Sequence, residues 1–166
     1  MEILIVGLVI VALMVYGSTK LKKYTAAQFE REEIDEQEFS LVKPEGFLHV
    51  LNESKFAFYA YSKEFGKAEA EEMRQAEIFI EFFADKTLAE VCEGIKTSAE
   101  KIVYFEDEGK EYLIETEKTV DEIVVDEIYK IVEGEKIYQL KISVLNNIRA
   151  EYEERIETIS DSFRIK

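Results

Sequence analysis

The chain has 166 residues, with 36 acidic against 21 basic side chains and a formal net charge of −15. This length holds one domain with a sizeable core, but not two. The negative charge repels nucleic acid and bare anionic lipid surfaces, so we predict no nucleic-acid partner. One cysteine and one histidine exclude an intrachain disulfide and a Cys/His zinc site. We predict no cofactor and no bound metal.

An uninterrupted apolar segment opens the chain and predicts a membrane helix. A helix rises about 1.5 Å per residue and the hydrocarbon core is about 30 Å thick, so a span needs ~20 residues. Residues 1–24 supply that length together with a basic flank. The predicted anchor comprises Ile3, Leu4, Ile5, Val6, Gly7, Leu8, Val9, Ile10, Val11, Ala12, Leu13, Met14, Val15 and Tyr16. Lys20, Lys22 and Lys23 follow, and we expect their ammonium groups to reach the lipid headgroups at the interface.

The charges around this segment bear on its processing and orientation. A cleaved signal peptide would carry positive charge before the apolar residues and a small-residue cleavage site after them. This chain has Glu2 before the segment and Val15-Tyr16-Gly17-Ser18 at its end, and it lacks the basic leader of a pilin. We therefore expect an uncleaved, single-pass anchor in the membrane bilayer. Because the lysines lie only on its C-terminal side, we predict that the N-terminus is outside and the soluble domain is cytoplasmic.

Residues 25–38 are polar and acidic, and they contain neither Gly nor Pro. Several of them favour helix, and none forms part of a broad apolar stripe. We predict that this segment continues the membrane helix as a solvated acidic stalk. The globular domain is then expected over residues 39–166.

Alternating apolar side chains predict the strands in the first half of that domain. Residues 39–42 alternate and end at the turn Pro44-Glu45-Gly46, and residues 47–51 form a short strand. Another strand is predicted over 55–62, followed by a charged connection with room for a helical turn. Ala76 to Phe83 has a clear period of two, which predicts a half-buried strand.

The second half predicts two amphipathic helices and four more strands. Asp85 or Thr87 caps the first helix. The apolar stripe of that helix contains Leu88, Val91, Cys92, Ile95 and Ala99. The strands are expected over 102–105, 112–118, 122–132 and 137–144. Ile148, Tyr152, Ile156, Ile159 and Phe163 form the stripe of the second helix. Short turns between strands indicate an α+β domain, in which two amphipathic helices pack on a mostly antiparallel sheet, preceded by one transmembrane helix.

Three segments of this domain resemble the PsbP/Mog1-like superfamily. Phe39-Ser40-Leu41 running into Pro44-Glu45-Gly46-Phe47 is similar to the family's opening motif. Residues 76–83 followed by Thr87-Leu88-Ala89-Glu90 resemble its strand and T-L-x-E helix, and residues 156–164 resemble its closing I-x-x-S-F helix. The resemblance covers about residues 39–166. It implies an adaptor or accessory domain and brings no shared set of catalytic residues.

Few residues in the sequence are candidates for catalysis or metal binding. His49 lies on a predicted strand and has no assigned acid, base or nucleophile, so we interpret it as structural. Cys92 belongs to a helix stripe, where a small buried hydrophobe is the ordinary interpretation. Glu106–Glu108 beside Gly109 lack the spacing of a calcium loop and predict a solvated turn. Nucleotide-binding, serine-hydrolase and zinc-protease motifs do not occur in the sequence, and we predict no catalytic residues.

The aromatic residues exceed what one sheet face needs. If helices cover both faces, these side chains belong to the core, which is the interpretation that we favour. If one face is open, Tyr59, Tyr61, Phe79 and Phe83 form an exposed patch and a candidate interface. A single span that tethers but cannot transport, together with a domain without catalytic residues, predicts a non-enzymatic, membrane-anchored interaction module, an accessory or assembly subunit of a larger membrane protein complex. The alternative is a ligand-binding or sensory domain with a pocket between sheet and helix.

Overall fold

The computed structural model describes residues 14–16, 27–51 and 55–166. Residues 14–16 are helical, and the rest form an α+β domain. The strands are β1 (Glu32–Asp35), β2 (Phe39–Lys43), β3 (Phe47–His49), β4 (Phe58–Ser62), β5 (Ala76–Phe83), β6 (Lys101–Asp107), β7 (Glu111–Val120), β8 (Ile123–Glu133), β9 (Ile137–Leu145) and β10 (Arg164–Ile165). The helices are α1 (Leu88–Ser98) and α2 (Arg149–Ser162), with 3₁₀ turns at Ala68–Ala70 and Asn146–Ile148.

Most of the predicted membrane anchor lies outside the residues that the structure describes. Of residues 1–24, only 14–16 are described, so Lys20, Lys22, Lys23 and most of the apolar segment lie outside the described residues. Across the described ranges, no helix has the length and apolar character needed to cross a bilayer. Membrane anchoring therefore stays a prediction from the sequence.

All strand pairs in the described domain are antiparallel. The larger sheet has seven strands in the order β3-β4-β5-β9-β8-β7-β6, and the smaller one has the order β1-β2-β10. The prediction of an α+β domain with a mostly antiparallel sheet is thus confirmed.

The two helices cover opposite faces of the larger sheet. On one face, α2 and the smaller sheet bury the main core, which includes Phe39, Ile78, Leu140, Ile159 and Phe163. On the other, α1 packs over a second cluster formed with Ile114, Tyr129, Ile131 and Ile137. We call these the α2 face and the α1 face. Strand register assigns each residue to one of them, because side chains alternate along a strand.

The sheet order explains where α1 lies. β5 and β6 are consecutive along the chain, yet β9, β8 and β7 separate them in the sheet. The connection must therefore cross three strands, and α1 is that connection. Thr87 caps it: the Glu90 backbone N–H donates to Thr87 Oγ1 at 3.3 Å, and the Thr87 N–H donates to Glu90 Oε2 at 2.7 Å. Of the two predicted caps, Thr87 is the one used.

The prediction of a solvated helical stalk over 25–38 is wrong for its second half. Glu32–Asp35 form β1, which pairs with β2, and Ile34 is only 5 % exposed in the main core. The ordered domain therefore begins before Phe39. The physical reason is that the backbone of this segment completes the smaller sheet while Ile34 fills the core, neither of which helix propensity reveals.

A buried lysine holds the start of the domain in place. Lys43 is fully buried, and its ammonium donates to the carbonyl oxygens of Glu30 at 2.6 Å, Phe47 at 2.8 Å and Gln28 at 3.3 Å. Burial lowers the pKa of Lys43, while Glu32, 3.7 Å away, opposes that shift. This one side chain ties residues 28–30 to β2 and β3.

Other predicted elements differ from the structure in detail. The strand predicted over 55–62 is regular only from Phe58, whereas the strand over 76–83 matches β5. Gln139 is a polar residue that is only 6 % exposed, because it lies on the α1 face of β9. The predicted strand 102–105 lies within β6.

The turn between β7 and β8 gives a test of this topology. Asp121 and Glu122 connect the paired residues Val120 and Ile123 with φ angles of +50° and +68°. A two-residue hairpin turn with positive φ at both positions favours glycine at the second, and left-handed backbone costs an L-residue about 1–2 kcal/mol. We expect Glu122→Gly to raise the free energy of unfolding by about 1 kcal/mol, measured by urea denaturation. Glu135→Gly, in the β8–β9 turn without a positive φ, is the control and should give no gain. A less stable Glu122→Gly variant would contradict the assigned turn.

Candidate interaction surface

The α1 face has an uncovered half that is rich in aromatic residues. Strand pairing places Tyr59 opposite Phe79 and Tyr61 opposite Glu77, on the same face as Lys141. Alternation explains this position, because the intervening Phe58, Ala60 and Ser62 are buried toward the α2 face. We call Phe56, Tyr59, Tyr61 and Phe79 the aromatic surface. All four are half-buried.

The rings of the aromatic surface pack on one another. Tyr59 and Phe79 stack with centroids 5.1 Å apart and an interplanar angle of 17°. Phe56 lies 4.9 Å from Phe79, and Tyr61 lies 5.9 Å from Tyr59. Aromatic pairs of this kind contribute about 0.5–1.5 kcal/mol beyond the area that they bury. The surface is therefore ordered before any partner arrives.

Cations border the aromatic surface. The guanidinium carbon of Arg74 lies 4.2 Å from the Tyr61 ring centre and 3.8 Å from that of Phe65. Arg74 also donates to the backbone carbonyl oxygens of Ser62 and Lys63 at 3.3 and 3.0 Å. On the opposite side, Lys141 Nζ lies 5.7 Å from the centre of Phe79. Arg74 thus stands sandwiched between two rings and is held by the backbone.

Tyr59 carries the main polar contact within the aromatic surface. Its hydroxyl donates to Glu77 Oε1 at 2.6 Å. Burial raises the pKa of Tyr59, and the Glu77 carboxylate raises it further. The phenol therefore stays protonated at neutral pH and acts as a donor to Glu77.

A buried carboxylate lies next to the aromatic surface on the same face. Glu127 is 5 % exposed, and its Oε1 lies 2.6 Å from Lys118 Nζ and 2.7 Å from Lys141 Nζ. Its Oε2 accepts a hydrogen bond of 2.6 Å from the Tyr129 hydroxyl. Burial opposes the charged form of Glu127, but the contacts with Lys118, Lys141 and Tyr129 outweigh it and lower the pKa. Lys141 is thereby held between Glu127 and Phe79.

A shallow groove lies between α1 and the same face of the sheet. Its volume is about 260 Å³. Charged and polar residues form much of its lining, among them Glu81, Lys86, Tyr129, Gln139 and Lys141. Gln139 Nε2 donates to Glu81 Oε2 at 3.2 Å. Small-molecule sites are usually larger, at about 300–1,000 Å³, and mostly apolar.

Three of the four predicted interface residues come together, and the fourth does not. Tyr59, Tyr61 and Phe79 are neighbours, whereas Phe83 packs against the α1 cluster with Lys86 Nζ 4.6 Å from its ring centre. Phe83 lies on the same face of β5 as Phe79, but it is at the end of the strand that leads into α1. How far the helix extends over the strand depends on the strand order, which the residue pattern does not reveal.

Arg74 and Phe65 were not identified from the sequence as part of this surface. They lie in the charged connection between β4 and β5, where they form an isolated bridge with each other. One sequence signal could have indicated them. The short connection has an aromatic residue near its start and a cation near its end.

The other candidate residues lie elsewhere. His49 is half-buried on β3, its ring 4.6 Å from that of Phe58, and burial lowers its pKa while Glu32 opposes the shift. Cys92 is buried in the α1 cluster, and burial raises its pKa. The turn predicted over Glu106–Glu108 begins later than expected, because Glu106 and Asp107 pair with β7 as the end of β6. The Gly109 N–H donates to Asp107 Oδ1 at 2.8 Å in the turn that follows. Within the described ranges, no group of three His, Cys, Asp or Glu side chains is arranged to hold a metal ion.

Comparison with known proteins identifies the fold. No family model matches the chain, and no curated protein matches it. Among solved structures, cyanobacterial PsbP (CyanoP) from Synechocystis sp. PCC 6803 matches with a TM-score of 0.53 and 12 % identity, over 83 % of this chain and 94 % of that one. LpqN, involved in cell envelope biogenesis of Mycobacterium tuberculosis, matches with a TM-score of 0.55 and 9 % identity, over 82 % and 91 %.

A protein of Bacteroides thetaiotaomicron VPI-5482 also matches, with a TM-score of 0.53 and 10 % identity, over 84 % of this chain and 49 % of that one. At such identities the likeness concerns the fold alone. The chain therefore has a PsbP-like fold, which confirms the resemblance found in the sequence.

The Glu127 cluster predicts a pH-dependent stability. Glu127→Gln keeps the side-chain shape but leaves Lys118 and Lys141 without their shared carboxylate. Because the Lys118 and Lys141 side chains are 36 % and 22 % exposed, their charges stay partly solvated, and we expect a loss of about 1–3 kcal/mol at neutral pH. Because the pKa of Glu127 is lower in the folded chain than the ordinary 4.5, its stabilisation is complete above 4.5 and is lost as pH falls through the folded value.

Urea denaturation of both proteins between about pH 7 and pH 3 checks this expectation. The stability difference should shrink toward the acid end of the range. Glu117→Gln is the matched control, because its partner Lys101 is 62 % exposed and such pairs contribute less than about 1 kcal/mol. A Glu127→Gln deficit that stays constant across this pH range would contradict the assigned role of the carboxylate.

Proposed function

We propose that the chain is a non-enzymatic, single-pass membrane-anchored interaction module that serves as an accessory or assembly subunit of a membrane protein complex. In this proposal the N-terminus is outside and the domain is cytoplasmic. The observation that carries it is the aromatic surface, a cluster of four rings on the half of the α1 face that α1 leaves open.

The composition of the aromatic surface suits a protein partner. Tyr, Phe and Arg are enriched where interfaces gain most of their energy, with charged groups at the rim. Here the apolar centre is Phe79 and Tyr59, and Arg74 and Lys141 border it. Because the rings already pack on one another, little side-chain entropy would be lost on binding.

An anchor at residues 1–24 would add to this affinity. A tether confines the domain to the plane of the membrane and raises its effective concentration near other membrane proteins. The anchor could also pack against a partner's helices, since Gly7 and Ala12 permit close approach on part of its surface.

The alternative is a ligand-binding or sensory domain that uses the groove beside α1. Its lining combines Lys86 and Lys141 with Glu81 and Glu90, which favours a small polar ligand without a net charge. Its small volume and shallow shape make this the weaker of the two functions.

Mild-detergent affinity purification of the full-length chain, with mass spectrometry, tests the interaction module. We expect a stoichiometric membrane complex with the wild-type chain and at least about a tenfold lower recovery with Tyr61→Ala/Phe79→Ala, since central aromatic residues each contribute about 2 kcal/mol or more. A variant lacking residues 1–24 should recover the complex less well, because it retains the domain contact without the tether.

Val124→Ala is the matched control, an exposed apolar residue (40 %) on β8 outside the aromatic surface. It should recover as much complex as the wild type. Normal recovery by Tyr61→Ala/Phe79→Ala would exclude the aromatic surface as the contact. Absence of any complex, together with a small molecule retained by the purified chain, would favour the ligand-binding alternative.

A further inference from the structure

The larger sheet ends in a long strand with an open outer side. β6 is last in the strand order, paired only with β7 among the described strands, and all seven of its residues are exposed. Ile102, Val103, Tyr104 and Phe105 are 44 %, 50 %, 44 % and 40 % exposed. The opposite edge, β3, has only three residues. Long apolar edges readily pair with another strand, and short ones do not.

The geometry of β6 limits which part of it can accept a strand. Its register against β7 shifts between Ile102 and Tyr104, so Val103 sits at a bulge. From Tyr104 to Asp107 the pairing is regular. Backbone groups of a regular edge point alternately inward and outward, so this four-residue segment presents outward N–H and C=O groups to solvent. Bulges interrupt pairing on an edge, which leaves 104–107 as the available segment.

The acidic residues at the edge of β6 indicate the charge of a segment that could bind there. Glu106, Asp107 and Glu108 follow the apolar residues directly, and the nearby Lys101 is already paired with Glu117 at 2.9 Å. An added strand would therefore meet two aromatic side chains, of which Phe105 lies under Lys96 Nζ at 3.8 Å. It would then meet the carboxylates of Glu106 and Asp107, which accept hydrogen bonds from the Tyr104 hydroxyl and the Gly109 N–H but lie in no ion pair among the described residues. A second copy of this chain would bring another net charge of −15 to the same acidic edge, which disfavours self-pairing.

We propose that the Tyr104–Asp107 edge of β6 binds an extended segment of alternating apolar and basic residues from a partner protein, as an added strand of the sheet. Main-chain hydrogen bonds supply the affinity, and lysine or arginine opposite Glu106 supplies the selectivity. Because side chains alternate along a strand, the apolar residues of the same segment then lie on the other face, opposite Phe105. This site is separate from the aromatic surface, because β4 lies next to one edge of the larger sheet and β6 forms the other edge. It does not depend on that surface being functional.

Peptide binding to the full-length chain in mild detergent tests this proposal. The probes are three fluorescent octapeptides of alternating sequence: Lys-Val, Glu-Val, and Lys-Val with a central proline. Fluorescence anisotropy should show the Lys-Val peptide binding about tenfold more tightly than either of the others, since the second has the wrong charge and proline cannot donate to the ladder. Hydrogen exchange should show amide protection at 104–107 when the Lys-Val peptide binds.

Charge reversal then localises the site. Glu106→Lys should weaken binding of the Lys-Val peptide about tenfold. Glu157→Lys makes the same charge change on an exposed position of α2 and should leave binding within about twofold. Equal affinity for the proline peptide, or equal effects of both reversals, would overturn the proposal in favour of non-specific charge attraction. Protection of 104–107 in the peptide-free chain, together with a dimer by analytical ultracentrifugation, would overturn it in favour of a second copy.

Discussion

The connection between β5 and β6 is the constraint on which most of this structure depends. It must cross β9, β8 and β7 to reach the edge of the sheet, and α1 makes that crossing. A helix is about 10 Å across and strands lie about 4.8 Å apart, so one helix cannot cover a face of seven strands. α1 buries Ile131 and Ile137 and leaves the β4–β5 part of the face open.

That single crossing creates both surfaces to which we assign a role. Where α1 is absent, the alternating residues of β4 and β5 present Tyr59, Tyr61 and Phe79 toward solvent. Where α1 ends, the chain enters β6, whose outer edge has no neighbour among the described strands. The aromatic surface and the outer edge of β6 lie toward opposite edges of the larger sheet. A partner segment bound at one of them would therefore not exclude a partner segment at the other.

Buried charges secure the parts of the domain that apolar packing alone does not hold. Lys43 ties the chain before β1 to β2 and β3 through three carbonyl oxygens. Glu127 holds Lys118 and Lys141 across β7, β8 and β9. A buried charge is costly unless its hydrogen bonds are satisfied, so these contacts favour one arrangement of the strands over others. Lys141 connects this buried charge cluster to the aromatic surface, because it contacts both Glu127 and the ring of Phe79.

Local patterns were enough to predict many elements. The period of two over 76–83 and the stripe of Tyr152, Ile156 and Ile159 were confirmed, since each depends on neighbours a few residues apart. β1 was missed because its residues favour helix, and its pairing with β2 becomes visible only in the folded chain. For the candidate site, the sequence identified Tyr59, Tyr61 and Phe79 but neither Arg74 nor Phe65, which approach these rings only through the fold.

By itself, the sequence determined the α+β class, the elements with strong periodicity, the acidic character and the apolar segment that predicts an anchor. Only the tertiary structure decided which aromatic residues are covered, since Phe83 and Phe79 share a strand face and differ only in their distance from α1. Side-chain periodicity follows from the local backbone, which each segment carries in its own residues. Coverage follows from strand order, and strand order is set by contacts between residues far apart in the chain.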